Sequence, residues 1–225
     1  MPLLWLLLCC GGAAEAASRT VRVGRSSAAN ASTVAAALAM VPTNATSRWT
    51  ITIEPGIYRE RITTAGKGPL SLRGLGPAEQ VVIAFGCSAN KGTGKPGCRP
   101  CPAAPGFASR ATVTIGSEDF VGANLTIAND ACGYDAGHAA QSEALSLAAD
   151  RAAFSGCRFL GGQDTLYTGG GQLRSYFWRS FINGSCDSIC EPQHSTLRTS
   201  ALFEADVQWL CAQTATRAPS SSSAP

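Results

Sequence analysis

The sequence of 225 residues has only two histidines and three lysines, and it lacks an apolar run long enough to cross a bilayer. A membrane-spanning helix needs about 20 apolar residues, whereas the apolar segment at residues 3–10 ends after eight. No G-x-S-x-G motif occurs, so the usual signature of a serine hydrolase is missing. The net charge of +3 does not indicate nucleic acid binding. We therefore expect one sizeable domain with no membrane span and no nucleic acid partner.

The N-terminal segment indicates secretion. Residues 3–10 form a short apolar core, and small residues suited to cleavage follow at Ala14 and Ala16. We predict that residues 1–17 are a signal peptide. A membrane anchor or a misassigned start are the alternatives, because the segment has no basic residue before its apolar core.

Ten cysteines are present, and eight remain once the pair inside the predicted signal peptide is set aside. Cys98 and Cys101 have CxxC spacing, and Cys186 and Cys190 form a second close pair. Zinc is one interpretation of such pairs, but a secreted protein with two histidines favours disulfides. We therefore expect disulfides, no metal and no cofactor. The spacing does not define which cysteines pair.

Polar residues recur at an almost constant spacing in the second half of the chain. Gln141 and Gln163 are 163 − 141 = 22 residues apart, and Asp164 and Asp187 are 187 − 164 = 23 apart. This step suits one coil of a stacked solenoid. Equivalent positions on neighbouring coils then lie about 5 Å apart. Two carboxylates and two amides in one column predict an aspartate-based esterase site. Asn183 lies near this site, so a glycan attached there would hinder a polymer substrate.

Four N-glycosylation sequons also fit an extracellular protein. They begin at Asn30, Asn44, Asn124 and Asn183. We expect Asn30 and Asn44 to carry glycans.

Short alternating segments separated by glycine and polar turns predict an all-β fold. One short helix is predicted over residues 32–40, with Ser32 or Thr33 as its cap. The pattern fits a right-handed parallel β-helix, and a β-sandwich is the main alternative. Residues 216–225 are rich in Ser, Ala and Pro, so we predict a disordered tail. The strands are predicted over residues 49–53, 69–72, 80–85, 112–115, 124–128, 144–147, 152–159, 174–182 and 201–203.

Several segments carry a resemblance to a known family. Residues 154–167, with the sequence FSGCRFLGGQDTLY, resemble the most characteristic stretch of the pectinesterase (pectin methylesterase) family. Residues 33–42, 51–60 and 113–127 resemble its first helix, first turn and middle coils. The similarity runs from about residue 21 to about 207. It implies a β-helix domain over residues 18–215 that is incomplete at its C-terminus.

The resemblance also implies a function and roles for the residues of the column. It implies a secreted, monomeric carboxylic ester hydrolase that removes methyl groups from pectin (homogalacturonan) in the cell wall. Asp187 matches the nucleophile and Asp164 the general acid and base. Gln141 and Gln163 match the amides that stabilise the oxyanion, and Tyr167 matches an aromatic residue of the sugar groove.

One more residue matches the family's interior. Cys157 stands where the family has a core-facing residue, so we expect a buried free thiol.

Other positions depart from the family. The family follows its nucleophile with two phenylalanines flanking an isoleucine, whereas here Ser188, Ile189, Cys190 and Glu191 follow Asp187. The family's Leu-Gly-Arg-Pro-Trp stretch does not occur either. We therefore expect weak or absent turnover. A catalytically degenerate, pectin-binding or structural β-helix protein is the alternative, while a polysaccharide lyase would need acidic calcium sites that the sequence does not show.

Overall fold

The structure, a computed structural model, describes residues 19–89, 99–101, 110–131, 140–169, 173–185 and 187–190, and the backbone of residues 201–208. Several predictions fall elsewhere in the chain. The signal peptide, the tail, the two histidines of the chain (His138 and His194), Cys98, Cys186 and Glu191 all lie outside the described residues. The predicted domain boundaries therefore stay predictions.

The described residues form one short α-helix and sixteen strands, most of them only two to five residues long. They contain no helix that combines the length and the apolar character needed to cross a membrane. The elements are β1 (Thr20–Val23), α1 (Val34–Met40), β2 (Trp49–Ile53), β3 (Gly56–Arg59), β4 (Ile62–Thr63), β5 (Leu70–Gly74), β6 (Val81–Ala84), β7 (Val113–Ile115), β8 (Val121–Ala123), β9 (Thr126–Ala128), β10 (Leu145–Leu147), β11 (Ala152–Ser155), β12 (Arg158–Leu160), β13 (Leu166–Tyr167), β14 (Ser175–Asn183), β15 (Ile189–Cys190) and β16 (Ala201–Gln208).

The strands stack in three parallel rows. The first row runs β1-β2-β5-β8-β11-β14, the second runs β3-β6-β9-β12-β14, and the third runs β4-β7-β10-β13-β15. Strand β14 is long enough to pair with β11 through its first half and with β12 through its second half. All of these pairings are parallel, as are the eight residue pairs that join β14 to β16. The predicted parallel β-helix is confirmed, and the β-sandwich alternative is wrong because a sandwich is built from antiparallel sheets.

The local predictions succeed where a residue pattern is long. The helix begins after Thr33, whose Oγ1 accepts a hydrogen bond from the Ala36 amide at 3.1 Å, and β2 has the predicted bounds. The single strand predicted over residues 152–159 is wrong. It is two strands, because the chain bends at Gly156, where φ is +59°. Six strands were not predicted, because segments of two to four residues are too short to show an alternation of apolar and polar side chains. They are β1, β3, β4, β8, β13 and β15.

Aromatic side chains stack between coils in the interior. Phe154 on β11 is in register with Phe177 on β14, and their rings stack at 4.9 Å with an interplanar angle of 11°. Phe159 meets the Phe177 ring edge-on at 5.6 Å, and Phe120 lies 5.6 Å from Phe154. All four rings are buried. They therefore join β11, β12, β14 and the residue before β8 into one core.

Two expectations for the cysteines are confirmed, a disulfide and a buried free thiol, whereas Cys190 of the second close pair is a free thiol and not part of a disulfide. Cys157 is a buried free thiol, as predicted, and its burial raises its pKa to about 11. Cys87 and Cys101 form a disulfide. The zinc alternative thereby loses one thiolate of its CxxC motif. Among the described residues, no cluster of three or more His, Cys, Asp or Glu side chains is arranged to hold a metal ion.

The Phe177 stack generates a stability prediction. Replacing Phe177 with alanine removes a fully buried ring and leaves a cavity, so we expect a loss of about 3–5 kcal/mol in the free energy of unfolding. Urea denaturation followed by circular dichroism measures it. The matched control is Tyr176→Ala, which truncates the neighbouring ring, 37% exposed. Equal losses of stability in both variants would contradict the claim that the buried Phe177 ring contributes more to the core than the partly exposed Tyr176 ring.

Candidate active site

The two candidate carboxylates stand at equivalent corners of neighbouring coils. Strand β13 pairs with β15 so that Leu166 faces Ile189. Asp164 precedes Leu166 by two residues, and Asp187 precedes Ile189 by two. The same register continues through the Leu166 amide, which donates to the Ser188 carbonyl at 3.0 Å. The two aspartates therefore occupy matching positions, one coil apart.

Both aspartates have the same unusual backbone conformation. Their φ angles are +61° at Asp164 and +45° at Asp187, in the left-handed region that aspartate tolerates better than most residues. Asp119 and Asn124 share this conformation at other corners of the coils. The two carboxylates therefore extend from residues of the same backbone conformation at matching positions of adjacent coils.

The two glutamines join the column from the same side. Gln141 and Gln163 form a parallel bridge between coils. The Ser142 amide donates to the Gln163 carbonyl at 2.9 Å. The side-chain amide of Gln141 also donates a hydrogen bond to the Asp164 carboxyl group. The structure thus brings together the four residues that the 22- and 23-residue spacing selected.

Close stacking at this corner depends on glycine. A Cβ at Gly162 would come within 2.2 Å of the Ser142 Oγ. One at Gly184 would come within 2.1 Å of the Thr165 Oγ1 and 2.6 Å of the Gly162 carbonyl oxygen. Side chains cannot occupy such distances, so glycine is what lets the coils approach each other beside Asp164.

Asp164 is the buried member of the acid pair. It is only 2% exposed, and its Oδ2 atom is buried without a hydrogen-bond partner among the described residues. Burial is the largest influence and raises the pKa of the Asp164 carboxyl group. The charge of Asp187 raises it as well, whereas the Gln141 amide and the positive charge of Arg110 oppose the rise. Asp164 therefore retains its proton to a higher pH than an exposed aspartate.

Cys190 occupies one of the positions where this chain departs from the family. Its thiol donates a hydrogen bond to the Asp164 carboxyl group. Burial, followed by the negative charges of Asp164 and Asp187, raises the pKa of the Cys190 thiol to about 12. At neutral pH Cys190 is therefore a protonated donor and not a thiolate nucleophile.

Tyr167 lies on the same face of the column. It is half-buried on β13, in register with Cys190 on β15 and with Ser146 on β10. Burial is the main reason that the pKa of the Tyr167 hydroxyl is raised, and the negative charges of Glu143 and Asp164 add to it. The ring is close enough to the acids to share their electrostatic environment, as a residue lining their groove has to be.

The sequence reasoning missed a third acid and a cation. Glu143 precedes Leu145 by two residues, and Leu145 is in register with Leu166. Glu143 therefore extends the column by one coil above Asp164. Its side chain is fully buried and bound by Arg110, with Nη2 to Oε1 at 2.8 Å and Nε to Oε1 at 3.1 Å. The signal in the sequence was a 21-residue step, 164 − 143 = 21, close to the 22- and 23-residue steps of the column.

The arrangement provides the parts of an acyl-transfer site. Asp187 offers a carboxylate that is less buried than Asp164. Asp164 offers a proton held in a poorly solvated position, and the Gln141 amide already points at this carboxyl group. Such a pair of carboxyl groups in unequal environments can divide the roles of nucleophile and proton carrier.

Three kinds of comparison relate the chain to known proteins. The Pectinesterase family profile matches residues 20–215. "Probable pectinesterase 50" of Arabidopsis thaliana is 34% identical over 178 residues, which cover 79% of this chain and 45% of that protein. "Pectinesterase 31" of the same plant is 33% identical over 185 residues, covering 77% of this chain and 52% of that protein.

Solved structures agree. "Pectin methylesterase PemA from Erwinia chrysanthemi" superposes with a TM-score of 0.66 at 29% identity, covering 84% of this chain and 54% of that one. "Pectin methylesterase from Carrot" gives 0.63 at 26% identity, covering 76% and 48%. The chain spans about half the length of the curated relatives it matches. The extent of the profile match, together with these likenesses, shows that the chain belongs to the pectinesterase family.

Proposed function

We propose that this protein hydrolyses the methyl esters of pectin, the methylated homogalacturonan of cell walls, and releases methanol. The observation that carries the proposal is the placement of Asp164 and Asp187 at matching corners of adjacent coils, one buried with a raised pKa and the other more open. The family relationship supports the same reaction class, carboxylic ester hydrolysis.

The first half of the reaction forms an acyl-enzyme. The ionised Asp187 carboxylate attacks the ester carbonyl, and the carbonyl oxygen becomes an oxyanion. The side-chain amides of Gln141 and Gln163 donate hydrogen bonds to that oxygen. The carbon–oxygen bond to the methoxy group then breaks, and protonated Asp164 gives its proton to the departing methanol. An anhydride between Asp187 and the sugar carboxyl group remains.

The second half returns the site to its starting state. Asp164, now ionised, takes a proton from a water molecule that attacks the anhydride carbonyl. The bond to Asp187 breaks, which restores the Asp187 carboxylate and frees the sugar carboxylic acid, and the proton of that acid passes to solvent as it becomes a carboxylate. The water proton stays on Asp164, ready for the next acylation. One water molecule is consumed and one methanol released in each cycle.

The proposed substrate is a polymer that lies along the groove beside Tyr167. A similar solved protein is a pectin methylesterase in complex with a hexasaccharide, with a TM-score of 0.65 and 29% identity. We propose the same ligand class for this chain, bound by a monomer. Tyr167 would place an aromatic face against a sugar ring, as an amphipathic residue at a ligand surface can.

The proposed location is the cell wall, after secretion. The Cys87–Cys101 disulfide suits an oxidising compartment. Asn30 and Asn44, the expected glycan acceptors, are exposed, whereas the Oδ1 atom of Asn183 is buried. This difference in exposure supports the choice of acceptors.

One observation favours a second candidate, a pectin-binding protein without turnover. The Cys190 thiol is hydrogen-bonded to Asp164, the proposed proton carrier. This contact and the residues that replace the family's phenylalanines after Asp187 both support the expectation of weak turnover. Methanol release and pectin pull-down, measured on the same preparation, separate the two candidates: binding without release favours the second.

The roles in the column predict the effects of substitutions. Asp187→Asn should abolish methanol release from methylated pectin, because an amide does not attack as a carboxylate does. Asp164→Asn should abolish it through loss of proton transfer. Gln141→Ala should lower kcat about 10²-fold or more, as removal of an oxyanion donor does.

The control for these variants is Asp119→Asn. It makes the same change at another left-handed corner, where φ is +55° and the side chain is exposed and paired with Arg151. It should retain full activity. Full activity in Asp187→Asn would show that the nucleophile is assigned wrongly.

The raised pKa of Asp164 predicts a pH dependence with a definite sign. Acylation needs Asp164 protonated, so kcat/KM should fall as pH rises through the pKa of this group. Because burial raises that pKa, the fall should begin at a higher pH than an exposed aspartate would give. Initial rates of methanol release, corrected for spontaneous hydrolysis, provide the profile. A value of kcat/KM that keeps rising with pH would contradict the acid role.

A further inference from the structure

The Arg110–Glu143 pair is the most buried ion pair of the described residues that face the column. Three nitrogen–oxygen contacts join the side chains, with Arg110 Nη2 and Nε to Glu143 Oε1 at 2.8 and 3.1 Å and Nε to Oε2 at 3.2 Å. The Glu143 side chain is fully buried, and that of Arg110 is 14% exposed. A paired fork of this kind fixes both the distance and the orientation of the two groups.

The backbone around the pair is held as firmly as the side chains. The Thr112 amide donates to the Glu143 carbonyl at 3.1 Å. The side-chain amide of the buried Asn129 bridges the carbonyls of Arg110 and Glu143, at 3.0 Å each. Two residues from neighbouring coils are therefore clamped together through both their main chains and their side chains.

We propose that Arg110 is a positioning residue for the reaction. Held by Glu143 on the preceding coil, it keeps a positive charge at a fixed place near the Asp164 carboxyl group. The proposal rests on the proposed function, because it assigns Asp164 a proton that has to be held and released. Glu143 stands in register above Asp164, one coil away. Burial raises the pKa of the Glu143 carboxyl group, and the hydrogen bond and charge of Arg110 oppose that rise, so Arg110 favours the ionised form of Glu143. Arg110 cancels that charge from within the same corner.

The charges that face Asp164 show what Arg110 balances. Asp187 lies one coil below, Glu143 one coil above, and Cys190 donates to the carboxyl group from β15. Arg110 is the cation whose charge opposes the rise in the pKa of Asp164.

Within the part of the chain that the structure describes, the remaining titratable group on this face is Tyr167. Its pKa responds to Glu143, Arg110 and Asp164, so it belongs to the same electrostatic cluster. Tyr167 and Cys190 carry no charge at neutral pH, and each therefore leaves the balance between the three acids and Arg110 unchanged.

A purely structural ion pair and a positioning pair differ in one measurable consequence. A structural pair would change stability when broken, whichever partner is removed. A positioning pair moves the titration of Asp164 in opposite directions when the cation or the anion is removed. The sign of that movement, and not the loss of stability, therefore distinguishes the two.

The test is a carboxyl titration that does not require activity. We would label aspartate with ¹³C at Cγ and follow the Asp164 resonance by NMR, assigned by its loss in Asp164→Asn. Arg110→Met should move the titration midpoint of Asp164 up by about one pH unit, as loss of a nearby opposite charge does. Glu143→Gln should move it down. Arg110→Lys, which retains the charge, should stay close to the original midpoint.

The matched control is Arg174→Met, which breaks a comparable arginine fork on Asp150 at another corner. It should leave the Asp164 midpoint unchanged. If Arg110→Met does not fold, as judged by circular dichroism, Glu143→Gln and Arg110→Lys still show the direction in which the Asp164 titration midpoint moves. An Asp164 midpoint that is unmoved in folded Arg110→Met or Glu143→Gln would overturn the proposal.

The high-pH limb of methanol release should follow the same order in the same variants. If the unmodified protein releases no methanol, the proposed function fails, while the NMR midpoints still confirm or reject the role of Arg110. If methanol is released and the midpoints do not move, the proposed function stands and Arg110 has a structural role only.

Discussion

The parallel register between coils is the constraint on which the rest of this structure depends. Each short strand gains its hydrogen bonds from the coils above and below, because a strand of two to five residues cannot stand alone. The register repeats residue for residue, so side chains at equivalent positions stack into columns. Phe154 and Phe177 form such a column inside, and Asp164 and Asp187 form one at a corner. The same geometry thus builds both the core and the site.

Stacking like residues suits apolar rings and is costly for carboxylates. Stacked phenylalanines gain contact and lose water, whereas stacked acids repel each other and lose hydration. The protein meets this cost at the column in three ways. The Gln141 amide and the Cys190 thiol donate to Asp164, Arg110 neutralises Glu143, and Asp164 holds its proton to higher pH. The chemistry proposed for the site uses the last of these, since a retained proton is what a leaving alcohol requires.

The structure shows what the residues that depart from the family contact. Cys190 places a neutral thiol against Asp164, where the family has an aromatic residue, and its high pKa keeps it a donor. Ser188 is fully buried beside Asp187. These replacements exchange apolar bulk for small polar groups around the acids. Their effect on turnover depends on how tightly Asp187 and its neighbours are held during attack, because catalysis tolerates little misplacement of the reacting atoms.

The sequence by itself determined the resemblance to the family, the parallel β-helix, a short helix capped at Ser32 or Thr33, and the four residues of the column. Its long patterns and the 22- and 23-residue spacing carry that information locally. It did not determine the six strands β1, β3, β4, β8, β13 and β15, the bend at Gly156 or the Cys87–Cys101 pairing. Those depend on neighbouring coils. The Arg110–Glu143 pair was decided only by the tertiary structure, since partners 33 residues apart meet through the stacking of coils and leave no motif in the sequence.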